Sequence, residues 1–277
     1  MFQRALIAVD LNSSADLLRC APDLKQWGTV SLTLLHLVKS GYGEGQVPGL
    51  LDEYRQTLET SGNELRDMGF DVDVIAASVS DIGDGIVEIS PDYDLIVAGT
   101  RSMNLVEEIF LGSAVRTVLR ESNVPVLLQQ IAAPGESDEM AQLQPTDTLR
   151  HILLATDLAH GSTAAHEAAE VLAARGALVD CAHVMESDEL TDYPERKTML
   201  DAALQQAVKR AGGRGEALLK SGEPVQLLLE LAAERSASMM VVGRTGRKWP
   251  QTLLGSTARK LCEQSGLPVL VVPRSEK

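Results

Sequence analysis

The second half of this chain repeats the first. LIAVDLNSSA (residues 6–15) returns as ILLATDLAHGS (152–162), so Asp10 corresponds to Asp157. LTLLHLVKS (32–40) returns as VDCAHVMES (179–187), which pairs His36 with His183. DLIVAGTRSMNLVEEIFLGSAVRTVLRESNVPVLLQ (94–129) returns as SMMVVGRTGRKWPQTLLGSTARKLCEQSGLPVLVV (238–272). The offset is 147 at the Asp and the His, 144 at the first glycine (99 to 243), and 143 at the Gly-Ser (112 to 255) and the Pro (125 to 268). Landmarks in one order at a nearly constant offset mean a duplication, and the small drifts are loop deletions. The 277 residues therefore form two copies of one domain, expected at 1–130 and 149–277. The segment 131–148, rich in Pro, Gly, Ser and acids, serves as linker.

Each half alternates short apolar runs with longer amphipathic ones. In the first half the pattern predicts strands near 4–10, 29–38, 70–78, 94–99 and 125–129, with helices near 13–27, 50–68, 82–90 and 112–122. In the second it predicts strands near 150–156, 178–185, 215–220, 239–243 and 268–272, with helices near 162–175, 194–211, 223–236 and 255–265. Strand–helix alternation builds a parallel sheet with right-handed crossovers. Aromatics are 3% of the chain, so the core must be aliphatic, which suits strands covered on both faces.

Charge narrows the choice of partner. The net charge of −14 argues against nucleic acid and anionic membranes. It is unevenly spread: residues 1–140 carry 9 Lys and Arg against 22 Asp and Glu, and residues 141–277 carry 16 against 17. The apolar stretch ALIAV near the start is too short for a signal peptide, and no run reaches membrane-span length. Cys20, Cys181 and Cys262 are odd in number and widely spaced. They are expected to be reduced, buried thiols of a cytoplasmic protein. No second His or Cys stands at metal-ligand spacing, so no metal site is expected.

In an open α/β sheet, ligands bind past the carboxyl ends of the strands where the strand order reverses. With the order 3-2-1-4-5, Asp157, His183-Val184 and the Gly243 loop converge there in the second half. Asp10, His36-Leu37 and Gly99 converge in the first. The residue types suit a nucleotide. Each Asp can accept hydrogen bonds from ribose hydroxyls or a base edge, and the backbone of Val184 or Leu37 can face an adenine. Glycines admit close approach of phosphate. The helix N-termini at Gly255-Ser256-Thr257 and Gly112-Ser113 favour an anion.

A strand-end Asp, a His-Val closing the second strand, G-x2-G-x9-G-S/T, then a helix and P-V-L-V-V resemble the universal stress protein family, over nearly the whole chain. The resemblance implies two tandem five-stranded α/β domains with parallel sheets of order 3-2-1-4-5, related by a pseudo-two-fold axis and packed through their last strands. It implies ATP or AMP as ligand in some members, with or without Mg, and none in others. It leaves room for a homodimer and an unidentified protein partner. Each half departs from the motif. The second keeps Gly243, Gly246, Gly255 and Ser256, but only eight residues (247–254) separate Gly246 from Gly255. The first keeps nine (103–111), but Ser102 replaces the second glycine and Glu107-Glu108 lie in the loop. Because Arg244, Arg247 and Lys248 accompany the second loop, nucleotide is expected in the C-terminal half.

The alternative is a dimerising scaffold without nucleotide, or a binder of another small molecule through the acidic first half. Catalysis beyond slow ATP hydrolysis is not expected. The chain lacks G-x4-G-K-[ST], an S-G-G-x-D-S-like run after strand 1, and the paired acids and Lys of a phosphoacceptor domain.

Overall fold

The computed structural model describes residues 1–11, 17–40, 49–101, 111–131, 147–185, 194–245 and 254–274. The chain divides into two compact units, 1–146 and 147–277. The first runs β1 (Arg4–Ala8), α1 (Ala21–Trp27), β2 (Ser31–Lys39), α2 (Leu50–Asp67), β3 (Asp71–Val79), α3 (Ile82–Ile89), β4 (Leu95–Arg101), α4 (Ser113–Glu121) and β5 (Val126–Ile131). The second runs β6 (His151–Ala155), α5 (Thr163–Ala174), β7 (Leu178–Met185), α6 (Pro194–Arg210), β8 (Ala217–Ser221), α7 (Pro224–Glu234), β9 (Met239–Gly243), α8 (Ser256–Gln264) and β10 (Val269–Val272).

Strand order is β3-β2-β1-β4-β5 in the first unit and β8-β7-β6-β9-β10 in the second. Both are 3-2-1-4-5, and the pairs within each unit are parallel. The cause is the aliphatic runs: Leu6, Ile7, Leu32, Leu34, Leu95 and Ile96 are fully buried, as are Ile152, Leu153, Met239, Met240 and Val241. Only a central strand covered by helices on both faces hides consecutive side chains in this way. The three cysteines are free and buried. Burial pushes the Cys20 and Cys181 thiols up to about 12, helped by the acid next to each. Such thiols are poor nucleophiles.

Two elements differ from the sequence pattern in ways that matter below. The helix expected over 13–27 does not run through: α1 begins at Ala21, with Pro22 in its first turn. Proline lacks an N–H and cannot continue a helix from before, but fits the first turn. The fourth strand does not end at Gly99. It continues to Arg101, because β5 continues to Ile131 and keeps it paired, Gly99 opposite Gln129 and Arg101 opposite Ile131.

Small polar groups set the strand starts at the opposite end from the crevice. Asp94, just before β4, accepts hydrogen bonds from Gln3 N and Arg4 N at 3.0 and 3.1 Å. Ser238 holds the equivalent place before β9, and its Oγ accepts from His151 N at 2.9 Å. Each keeps strands 1 and 4 of its unit in register, side by side.

Candidate functional site

The crevice begins with a lock common to both units. His36 Nδ1 lies 2.9 Å from the Val9 carbonyl oxygen. His183 Nδ1 lies 2.7 Å from that of Thr156. A carbonyl can only accept, so Nδ1 carries the proton and Nε2 of the neutral ring is an acceptor. Each histidine thus ties the end of strand 2 to the residue preceding the strand-1 aspartate. This is a positioning role, in line with the reading of these histidines as strand-end residues. His36 is held further by Tyr54 of α2, edge-on at 4.9 Å between ring centroids.

In the first unit Asp10, His36, Leu37 and Gly99 line one cavity of about 610 Å³. Asp10 is exposed at its rim. Gly112 and Ser113 are also exposed and are not among the lining residues described. Gly99 serves packing: a Cβ there would come within 2.9 Å of Ile131 Cδ1. The extension of β5 brings Ile131 over it. Gly112, by contrast, has neither a positive φ nor any atom within 4 Å of an added Cβ.

In the second unit the loop after β6 is organised around Thr156, which the sequence reading did not single out. Its hydroxyl accepts from Leu158 N at 3.0 Å and lies 2.8 Å from His166 Nε2 and 3.2 Å from Ser162 Oγ. Ser162 Oγ in turn donates to the Ala159 carbonyl at 2.8 Å. These bonds hold Leu158 at φ 54, a conformation unfavourable for a residue with a Cβ. Asp157 then folds back on its own turn, with Oδ1 accepting from Ala159 N at 3.0 Å. Its other oxygen, Oδ2, is buried and has no hydrogen-bond partner among the described residues. A buried acceptor without a donor is unfavourable by about 1–3 kcal/mol, more when charged. It marks a place where a donor belongs.

The Gly243 loop lies against this turn. A Cβ on Gly243 would stand 3.8 Å from Ser162 Cα and 4.0 Å from Gly161 O, ordinary contact distances. Gly243 does end its strand, unlike Gly99. Arg244 N donates to Val272 O, and Gly255 N to Arg244 O, both at 2.8 Å. The Gly255 amide is therefore committed to the protein. Ser256 and Thr257, in the first turn of α8, lie where helix N–H groups lack intrahelical acceptors. Arg244 is buried, and desolvation lowers its guanidinium pKa, so it is not a solvated loop cation. Val184 is half-buried on β7, opposite Lys220. Gly246, Arg247 and Lys248, like Ser102 and Glu107-Glu108, lie outside the described residues.

The ring of His166 has a pH consequence. It is 6% exposed. Desolvation first, then the Arg210 cation, bring its pKa down to about 4, with Asp157 pulling the other way. In the unfolded chain an imidazole takes its proton below about 6.5. Its contribution to stability is thus complete above that pH. It is eroded as pH falls towards 4, by about 3 kcal/mol in all. Urea unfolding at pH 7.0 and 4.5 should show this loss in the native protein and a clearly smaller one in His166→Leu. Equal losses in both would remove His166 as the cause.

The model described as universal stress protein family matches residues 1–129 and again 148–273. The curated universal stress protein MJ0577 of Methanocaldococcus jannaschii is 35% identical over 82 residues, a match covering 28% of this chain and 49% of that relative. The crystal structure of a universal stress protein from Archaeoglobus fulgidus superimposes with a TM-score of 0.80 at 22% identity, covering 99% of this chain and 100% of that one. A universal stress protein solved in complex with cAMP is 27% identical, covering 47% of this chain and 100% of that one, with a TM-score of 0.37.

Proposed function

The chain belongs to the universal stress protein family, in tandem form, and we propose that it is a stress-response or signalling protein whose second unit binds an adenine nucleotide. The observation that carries this is Asp157 Oδ2, a buried acceptor without a donor among the described residues, at the carboxyl end of β6 where the sheet order reverses. A ribose hydroxyl or an adenine amino group supplies the missing donor. The backbone of Val184 faces the base. The loop after Gly243, with Arg244, Gly246 and Arg247, and the α8 N-terminus at Ser256 and Thr257 hold the phosphates, with Gly255 as the N-cap. In the first unit Asp10, Leu37, Gly99, Gly112 and Ser113 occupy the equivalent places in the sequence.

Binding acts through a protein partner or a second copy of the chain that distinguishes the loaded from the empty protein. Among the described residues no helix is long and apolar enough to cross a membrane. With the acidic charge this favours a cytoplasmic protein that contacts neither membrane nor nucleic acid.

Thermal melting of the full chain with and without millimolar Mg-ATP or AMP tests the assignment. A ligand at 100 times its Kd stabilises by about 2.7 kcal/mol. The expected result is a clear rise in Tm that Asp157→Ala loses and Asp10→Ala keeps. No rise in the native protein overturns nucleotide binding. A rise lost only in Asp10→Ala moves the site to the first unit.

A further inference from the structure

The first unit's cavity has the wrong chemistry for a phosphate. Its interior is hydrocarbon: Leu37, Ile82, Ile86, Val115 and Val118 meet there from β2, α3 and α4. Neither Lys nor Arg is among the lining residues described. The polar groups are Asp10, the His36 imidazole and Tyr54. Two of these present acceptors: the Asp10 carboxylate, and His36 Nε2, because Nδ1–H is committed to the Val9 carbonyl. Burying an anion beside a carboxylate, among aliphatic walls and within the acidic half of the chain, is strongly unfavourable. At about 610 Å³ the cavity falls within the ordinary range for small-molecule sites.

We infer that the first unit is a separate binding site for a small, largely hydrocarbon molecule, neutral or cationic, with a hydrogen-bond donor such as an amine directed at Asp10 and His36. The two halves of the duplication thus take different ligand classes. A phosphate-bearing ligand belongs to the second, and an apolar donor ligand to the first. The cause lies in the walls. Gly99 is covered by Ile131, and α3 and α4 pack closely through Gly83, where a Cβ would meet Thr117 Cβ at 2.7 Å. This presses aliphatic side chains of both helices towards β2.

The probe is N-phenyl-1-naphthylamine, a neutral aromatic amine that fluoresces when it leaves water. Titration of the full chain should give saturable enhancement with one site and micromolar Kd. Val115→Trp and Ile82→Trp, at two half-buried lining positions, fill the cavity and should each weaken binding at least tenfold. The native Tm of either variant certifies its fold. Asp10→Asn should weaken binding severalfold. Mg-ATP should leave the probe bound, in the native chain and in Asp157→Ala alike. Absence of saturable enhancement overturns the proposal. So does binding that both folded tryptophan variants retain, or displacement of the probe by Mg-ATP in Asp157→Ala. Failure of nucleotide to raise the Tm bears on the second unit alone and leaves this result readable.

Discussion

Replacing Gly215 by alanine should destabilise the second unit by about 3 kcal/mol or more, at the upper end for a single methyl group. Gly215 lies in the connection from α6 to β8, directly over β7. A Cβ there would sit 1.8 Å from the Val179 carbonyl oxygen and 2.4 Å from its carbon. These are backbone atoms of a central strand, so no side-chain rotation relieves the overlap. The connection has to lift. Lifting it breaks two adjacent bonds, Cys181 N to Glu216 O at 2.9 Å and Glu216 N to Asp180 Oδ1 at 2.7 Å. These bonds place the start of β8 against β7. Urea or thermal unfolding of the purified variant measures the effect. A loss below about 0.5 kcal/mol, the range of an ordinary surface substitution, would show that the connection can move freely.

The second large effect is expected at Asp180, which is 0% exposed in the middle of β7. Its carboxylate collects three groups. Oδ2 accepts from Arg235 Nε and lies against His151 Nε2, each at 2.8 Å, and Oδ1 takes the Glu216 amide. Arg235 also reaches Glu216 at 2.7 Å. The hydrogen bonds to the two carboxylates, Asp180 first, raise the arginine's pKa. Asp180→Ala leaves a buried imidazole, a part-buried amide and a half-buried guanidinium without their shared acceptor. About 3–5 kcal/mol should be lost, the usual result of breaking a buried pair from one side. Glu216→Ala removes only the exposed arm of the network and should cost well under 1 kcal/mol. Equilibrium unfolding of both variants separates the cases. Similar small losses would mean that the arginine and histidine find water easily and that Asp180 is no keystone.

The duplication makes the contrast informative. At the offset of 147, Asp180 corresponds to Thr33. There the first unit uses a neutral pair, the Tyr93 hydroxyl donating to Thr33 Oγ1 at 3.0 Å. The same fold thus satisfies one buried strand position with an ionic hub in one copy and with two hydroxyls in the other. A charged residue inside the apolar run VDCAHVM was a visible signal that a partner must exist. Arg235 lies 55 residues further on, and nothing local in the sequence indicates the pairing.

Residue spacing by itself determined the repeat, the strand–helix alternation and, through the resemblance, the 3-2-1-4-5 order. These depend on local periodicity and on landmarks that survive in both halves. It also determined which ends of the strands carry Asp10, Asp157, His36 and His183. What it could not reach was the state of individual groups. Gly99 and Gly243 are equivalent letters, yet one is covered by Ile131 and the other ends its strand in ordinary contact. The difference arises because β4 and β5 run on together in one unit while β9 stops at Gly243. Gly255 reads as an anion donor, yet its amide is taken by Arg244. Thr156 reads as one more strand residue, yet it anchors the turn that leaves Asp157 Oδ2 without a donor among the described residues. Each of these facts is a distance between atoms far apart in the chain, and packing alone sets such distances. Sequence therefore fixes which residues stand at the carboxyl ends of these strands. The tertiary structure decides which of their atoms are already committed to the protein.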